Sequence, residues 1–168
     1  MPNIRGIAEI VLNAQDIAAM STFYQRVLGF ELHSQHPNAN PTIVFLRVGS
    51  THTALNHAHP QLLALIDPDR HPAAKGRFDP PTARAFPLNH LAFEIEESEY
   101  DAHLQHLRDS GLDPFEARFE HAQAKAMFFS DPEGNRLELI CKDSTITETQ
   151  ARDAGRQLDE EITRSLQG

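Results

Sequence analysis

The 168-residue chain has no Trp, two Tyr and a single cysteine, Cys141. A lone cysteine rules out a disulfide within one chain, so packing must hold the fold, and a reducing compartment is the expected setting. No apolar run approaches the roughly 18 residues a membrane helix needs. The first residues lack the basic–apolar pattern of a leader. A cytoplasmic location and no membrane partner are therefore expected. Cationic residues are the minority, with 15 Lys and Arg against 24 Asp and Glu, a formal net charge of −9. A chain of this sign repels phosphate backbones and anionic lipid, which excludes nucleic acid as an expected partner.

What the chain does have is a 40% hydrophobic and 23% charged composition. That fits one ordinary domain, or two small modules sharing a core. It is also unusually rich in histidine, with ten His. Imidazole is a common metal ligand and titrates near neutrality, so position has to decide which of them matter.

Residues 7–14 alternate as a strand does. Asp16 stands where a helix N-cap belongs, and Ile17, Met20, Tyr24 and Val27 follow at helical spacing. Gly29 can end that helix in a left-handed conformation. Further strands are expected at 30–33, 43–48 and 51–57. Residues 67–87 carry five Pro and read as an irregular connector. The first pattern then returns. A strand is expected at 88–95, with Ser98 as N-cap of a helix bearing Tyr100, Leu104 and Leu107 and ending at Gly111. Strands follow at 115–119, 124–129 and 136–141, the last two joined by the turn Ser130-Asp131-Pro132-Glu133-Gly134-Asn135. In the tail, Thr145 and Glu148 match a capping box, and Leu158, Ile162 and Leu166 form a narrow apolar stripe.

The strand–helix–strand–strand–strand order thus occurs twice, and 81 residues separate Glu9 from His90 at matching places. One copy alone leaves a sheet face bare, and pairing two buries it. The expected fold is α+β: two paired βαβββ modules at 1–66 and 88–143, joined by the 67–87 connector, with a helical tail at 144–168.

Glu9, His90 and Glu138 lie on separate expected strands, each among apolar neighbours. A carboxylate on a buried strand face is costly unless paired or coordinated. Two carboxylates and one imidazole meeting on a curved sheet suit Fe(II), Mn, Ni or Zn with a position left for substrate. The plain alternative is that these side chains face water, Glu138 pairing with Arg136 and Glu9 with Arg5.

The strings F-Y-Q-R-V-L-G-F at 23–30, N-H-L-A-F-E-I at 89–95 and D-P-E-G-N-R-L-E-L at 131–139 resemble the glyoxalase/bleomycin-resistance/dioxygenase family, the vicinal oxygen chelate superfamily. The resemblance spans roughly residues 5–143. It implies that the modules form a curved, cup-shaped mixed sheet with a divalent metal at the shared centre. It implies Glu9, His90 and Glu138 as ligands from the first strand of module one and the first and last strands of module two. The last strand of module one gives Ala54, which cannot ligate, unless a register slip brings His52, Asn56 or His57 there. Three ligands with the fourth place empty resemble the extradiol dioxygenases, whose metal is taken first as Fe(II). Residues 121–141 resemble their C-terminal segment, with His121 as proton donor or acceptor. Phe128 stands where a Tyr is usual, and Glu9 where a His is usual. Phe45, Phe128, His52 and Asn56 would wall the substrate. The implied partner is a small, catechol-like substrate, and a homodimer is the expected assembly. Two alternatives remain: a lyase or isomerase of the glyoxalase I or epimerase kind, and a metal-free binder of small molecules.

Overall fold

The computed structural model describes residues 8–35, 40–49, 60–71 and 88–166. They form two compact units: the residues before 88 together with Asp131–Gly134, and the rest of the chain from Leu88 onward. Among the described residues no helix is long and apolar enough to cross a membrane.

The first unit contains β1 (Glu9–Asn13), α1 (Ile17–Val27), β2 (Glu31–Gln35), β3 (Ile43–Arg47) and β4 (Leu62–Ile66). The sheet order is β1-β4-β3-β2, with β1 and β4 parallel and the other pairs antiparallel. α1 starts as its sequence requires: the Asp16 carboxylate accepts the Ala19 N–H at 2.9 Å. Ile17, Met20 and Tyr24 form its buried stripe, and the helix packs on β3 and β4. It ends at Gly29, whose φ of +67° a side chain would resist. The Tyr24 hydroxyl donates to Asp131 Oδ2 at 2.9 Å, and the Asp16 N–H donates to Glu133 Oε1 at 2.8 Å. Burial pushes the Tyr24 phenol well above its ordinary range, and the adjacent Asp131 carboxylate adds to this.

The strand that closes the first module differs from expectation. Thr51–His57 lies outside the described residues, and β4 at Leu62–Ile66 takes the place beside β1. All five β4 residues are buried. A strand covered on both faces shows a continuous apolar run rather than alternation, so L-L-A-L-I carries no period-two signal.

The second unit holds β5 (Leu91–Glu94), α2 (Tyr100–Asp109), β6 (Phe115–Phe119), β7 (Ala124–Ser130), β8 (Arg136–Lys142) and α3 (Glu148–Leu166). Its sheet order is β5-β8-β7-β6, again with one parallel pair, β5 and β8. The two units therefore share one topology, as an internal duplication demands. Ser98 is not the cap of α2: it lies inside a 3-10 turn, Glu97–Glu99, that leads into the helix. Tyr100, Leu104 and Leu107 are buried as expected. The capping box of α3 is two residues later than its sequence expectation. Thr147 and Gln150 bond reciprocally, the Gln150 N–H to Thr147 Oγ1 at 3.3 Å and the Thr147 N–H to Gln150 Oε1 at 2.9 Å. Thr145 is engaged by Asp143 instead.

Candidate functional site

Strand alternation puts Arg136, Glu138 and Ile140 on one face of β8 and Leu137, Leu139 and Cys141 on the other. The second set is core. Glu138 is set in register between Ala92 of β5 and Phe128 of β7. Its side chain is only 6% exposed. The residue that answers it is His90, one position before β5, whose Nε2 lies 3.0 Å from Glu138 Oε2. The other ring nitrogen, Nδ1, is 2.7 Å from Asn89 Oδ1. Arg136, the alternative partner of Glu138, makes no ion pair with it.

Aromatic rings extend this pair along the sheet. Phe128 meets His90 edge-on at 5.9 Å, Phe119 meets Phe128 at 6.3 Å, and His121 meets Phe119 at 6.2 Å. His121 sits in a 3-10 turn, Glu120–Ala122, that α3 packs against. The turn is clamped at Gln123, where φ is +49°, a conformation costing a non-glycine residue on the order of 1 kcal/mol. The Asp143 N–H donates to Gln123 O at 2.7 Å, and Gln123 Nε2 donates to Ile146 O at 2.8 Å. So His90, Glu138, Phe128 and His121 are brought to one side of the second unit. Asn89 and Phe119 complete the set. Asn89 was visible only as the neighbour of His90, and Phe119 only as the end of an exposed-looking strand.

The remaining expected residues are placed elsewhere. Glu9 is the first residue of β1, exposed, in the first unit. Phe45 is the central residue of β3, paired with Ala64. His52, Ala54, Asn56 and His57 lie outside the described residues. The registers identify what stands opposite Glu138 in the duplication. Glu138 pairs with Ala92 and Phe128, and Ala64 pairs with Val11 and Phe45. Ala64, completely buried, is therefore the counterpart of Glu138, and Phe45 that of Phe128.

Among the described residues no group of three or more His, Cys, Asp or Glu is set to hold a metal ion. Two ligand-type side chains do converge, and their chemistry fits a divalent cation. Both nitrogens of His90 face acceptor oxygens, from Asn89 and from Glu138. His90 and Glu138 would hold such a cation if the ring is neutral and its Nδ1–H donates to Asn89. An outer partner on the far nitrogen is what orients a metal-bound imidazole.

Comparison with known proteins agrees with the duplicated topology. The family model of the Glyoxalase/Bleomycin resistance protein/Dioxygenase superfamily matches residues 6–139. The metallothiol transferase FosB of Staphylococcus saprophyticus subsp. saprophyticus is 36% identical over 55 residues, covering 32% of this chain. The match spans only 36% of that relative's own length. Two solved structures show the same fold. Lactoylglutathione lyase from Agrobacterium tumefaciens matches with a TM-score of 0.57 at 22% identity, over 81% of this chain and 92% of its own. The fosfomycin resistance protein FosX from Listeria monocytogenes, solved as a mutant with Mn(II) and 1S,2S-dihydroxypropylphosphonic acid, matches with a TM-score of 0.57 at 17% identity, over 89% of this chain and 96% of its own. With the family model covering both modules, the chain belongs to the Glyoxalase/Bleomycin resistance protein/Dioxygenase superfamily.

Proposed function

We propose that the protein is a metal-dependent enzyme acting on a small oxygenated substrate. The observation that carries this is the 3.0 Å contact between the half-exposed His90 and the buried Glu138 carboxylate, with Asn89 fixing the far side of the imidazole. His90 and Glu138 would hold the metal. Glu9, at the place in the first module that His90 has in the second, is the proposed third ligand. A divalent metal there supplies a Lewis acid and a template for two neighbouring substrate oxygens.

The chain's own groups do the rest. Phe128 and Phe45 provide apolar walls that take a flat substrate and exclude water. His121, placed beside Phe119, accepts or returns the proton that the substrate hydroxyl loses on binding. His52 and Asn56 are proposed as further polar wall groups. Ala64 leaves the fourth ligand place bare, and this favours extradiol-type cleavage of a catechol-like substrate with Fe(II). A second reading, lyase, isomerase or group-transfer chemistry with Mn, Ni or Zn, is favoured by Phe128, which offers no hydroxyl to a bound catecholate. It is also the direction of the relatives' names. We take the working unit to be a homodimer.

The test is to load metal-depleted protein with each metal separately and give it catechol under oxygen, then a thiol with an epoxide or methylglyoxal. Oxygen uptake that tracks iron content supports ring cleavage. Thiol consumption with Mn, Ni or Zn and no oxygen uptake supports the second reading. Binding of aromatics with no metal at any loading would sink both.

A further inference from the structure

An open cavity of about 430 Å³ lies in the second unit, lined by Gly111, Leu112, Asp113, Phe128, Ser130 and Arg136 among others. It adjoins the candidate centre through Phe128, whose ring also contacts His90. Arg136 and Glu138 are two apart on β8 and share a face, and Arg136 pairs in register with Ser130 of β7. The Arg136 guanidinium has no hydrogen bond or ion pair among the described residues. Asp113, on the same cavity, lies beyond ion-pair distance of it. Arg47, Arg70, Arg108, Arg118 and Arg156, by contrast, each hold a carboxylate of the chain, as Arg118 does Asp143 at 2.7 Å. In a chain of net charge −9, an uncommitted guanidinium beside an apolar ring is a selective point of attraction for an anion.

We propose that Arg136 is a specificity-determining residue, and that the substrate of the adjoining centre carries an oxyanion held in this cavity. The planar fork of the guanidinium suits a carboxylate or a phosphoryl oxygen pair, and the Ser130 hydroxyl is a further donor. Phe128 then separates the two ends of the ligand: its oxygens toward His90 and Glu138, its charge toward Arg136. The negative charge of Asp113 sets a limit, since it disfavours anions that reach deep along the 111–113 turn. This inference rests on the metal-centre reading for the substrate's other end, but the anion subsite itself does not need the metal.

The test uses metal-depleted full-length protein, so that an anion cannot bind through a metal. Calorimetric titration with inorganic phosphate and with benzoate is run on the wild type, Arg136→Gln and Glu138→Gln. Saturable binding of either anion is expected, phosphate marking a phosphoryl preference and benzoate an aromatic carboxylate. Arg136→Gln should weaken it roughly tenfold or more, the loss expected when a charged hydrogen bond is removed. Glu138→Gln should retain it. Equal binding by the wild type and Arg136→Gln, or no saturable binding to the wild type, overturns the proposal. Metal content is measured in parallel. Anion binding without metal uptake refutes the metal centre and leaves the subsite, whereas metal uptake without anion binding refutes the subsite alone.

Discussion

Replacing Glu138 by Leu separates a metal ligand from a structural ion pair. Glu138 is 6% exposed and its partner His90 36%, so the carboxylate carries the desolvation cost and the imidazole does not. Once the carboxylate is gone, His90 Nε2 can turn to water, and no charge is stranded in the interior. The leucine would pack between Ala92 and Phe128, the cross-strand neighbours of position 138. Burying a leucine side chain is worth about 1.5–3 kcal/mol, and exchanging a buried ion pair for apolar packing is neutral to stabilising by up to about 4 kcal/mol. Against this stands the lost His90 contact, worth about 1 kcal/mol at its half-exposed position. The expected net effect on the metal-free protein is a gain of about 1–3 kcal/mol. At roughly 2–4 °C per kcal/mol for a domain of this size, Tm rises by about 2–12 °C. With metal the variant's advantage shrinks by the metal increment. A free metal concentration of about 100 times Kd stabilises the wild type by about 2.7 kcal/mol and the variant by nothing. Urea unfolding of both proteins, metal-depleted and metal-loaded, reads all four values. A metal-free variant destabilised by more than about 1 kcal/mol would refute the reasoning, because Glu138 and His90 would then be a structural pair. A variant that keeps the metal increment would refute it as well.

Asn89→Ala should lower metal affinity by about 10–100-fold, and Asn89→Asp should retain it, since both natural and substituted oxygen can hold the His90 Nδ1–H; competition with a chelator measures this. Tyr24→Phe removes a donor from the buried Asp131 carboxylate and should cost about 1.5–3 kcal/mol, read as a fall in the urea midpoint at constant slope. The Thr145 hydroxyl and N–H, with Arg118, hold the Asp143 carboxyl below its usual range against the opposing effect of burial. A depressed folded value means the stabilisation is complete above the unfolded pKa of about 4 and is lost as pH falls through the folded one. Unfolding midpoints measured from pH 6 to pH 2 should therefore drop more steeply at the acid end for the wild type than for Asp143→Asn, and parallel curves would count against the assignment.

The duplication was legible because its punctuation is chemical. Asp16 caps α1, Gly29 and Gly111 take the positive φ their turns require, and the buried faces of α1 and α2 follow the 3.6-residue period. His90 and Glu138 could be singled out because polar groups among apolar neighbours on strands demand a partner. For Glu138 the sequence leaves two partners open, the His90 imidazole and Arg136 on the same face, and the structure pairs it with His90. β4 carries no period-two signal because burial on both faces erases alternation, so the register that makes Ala64 the counterpart of Glu138 is legible only in the structure. The α3 cap was misplaced because Thr145-x-x-Glu148 and Thr147-x-x-Gln150 both fit the pattern, and Asp143 draws Thr145 away. Asn89 acts on its sequence neighbour His90, a contact that an N-H dipeptide alone does not mark, and Phe119 acts through rings distant in sequence.

The most direct test of the account is metal content, measured on protein purified without a histidine tag, for the wild type, His90→Ala and Glu138→Ala. About one divalent metal per wild-type chain is expected, and its loss in both variants, each of which remains folded by circular dichroism. Wild-type protein that takes up no metal under any loading condition, or variants that retain it in full, would contradict the central claim.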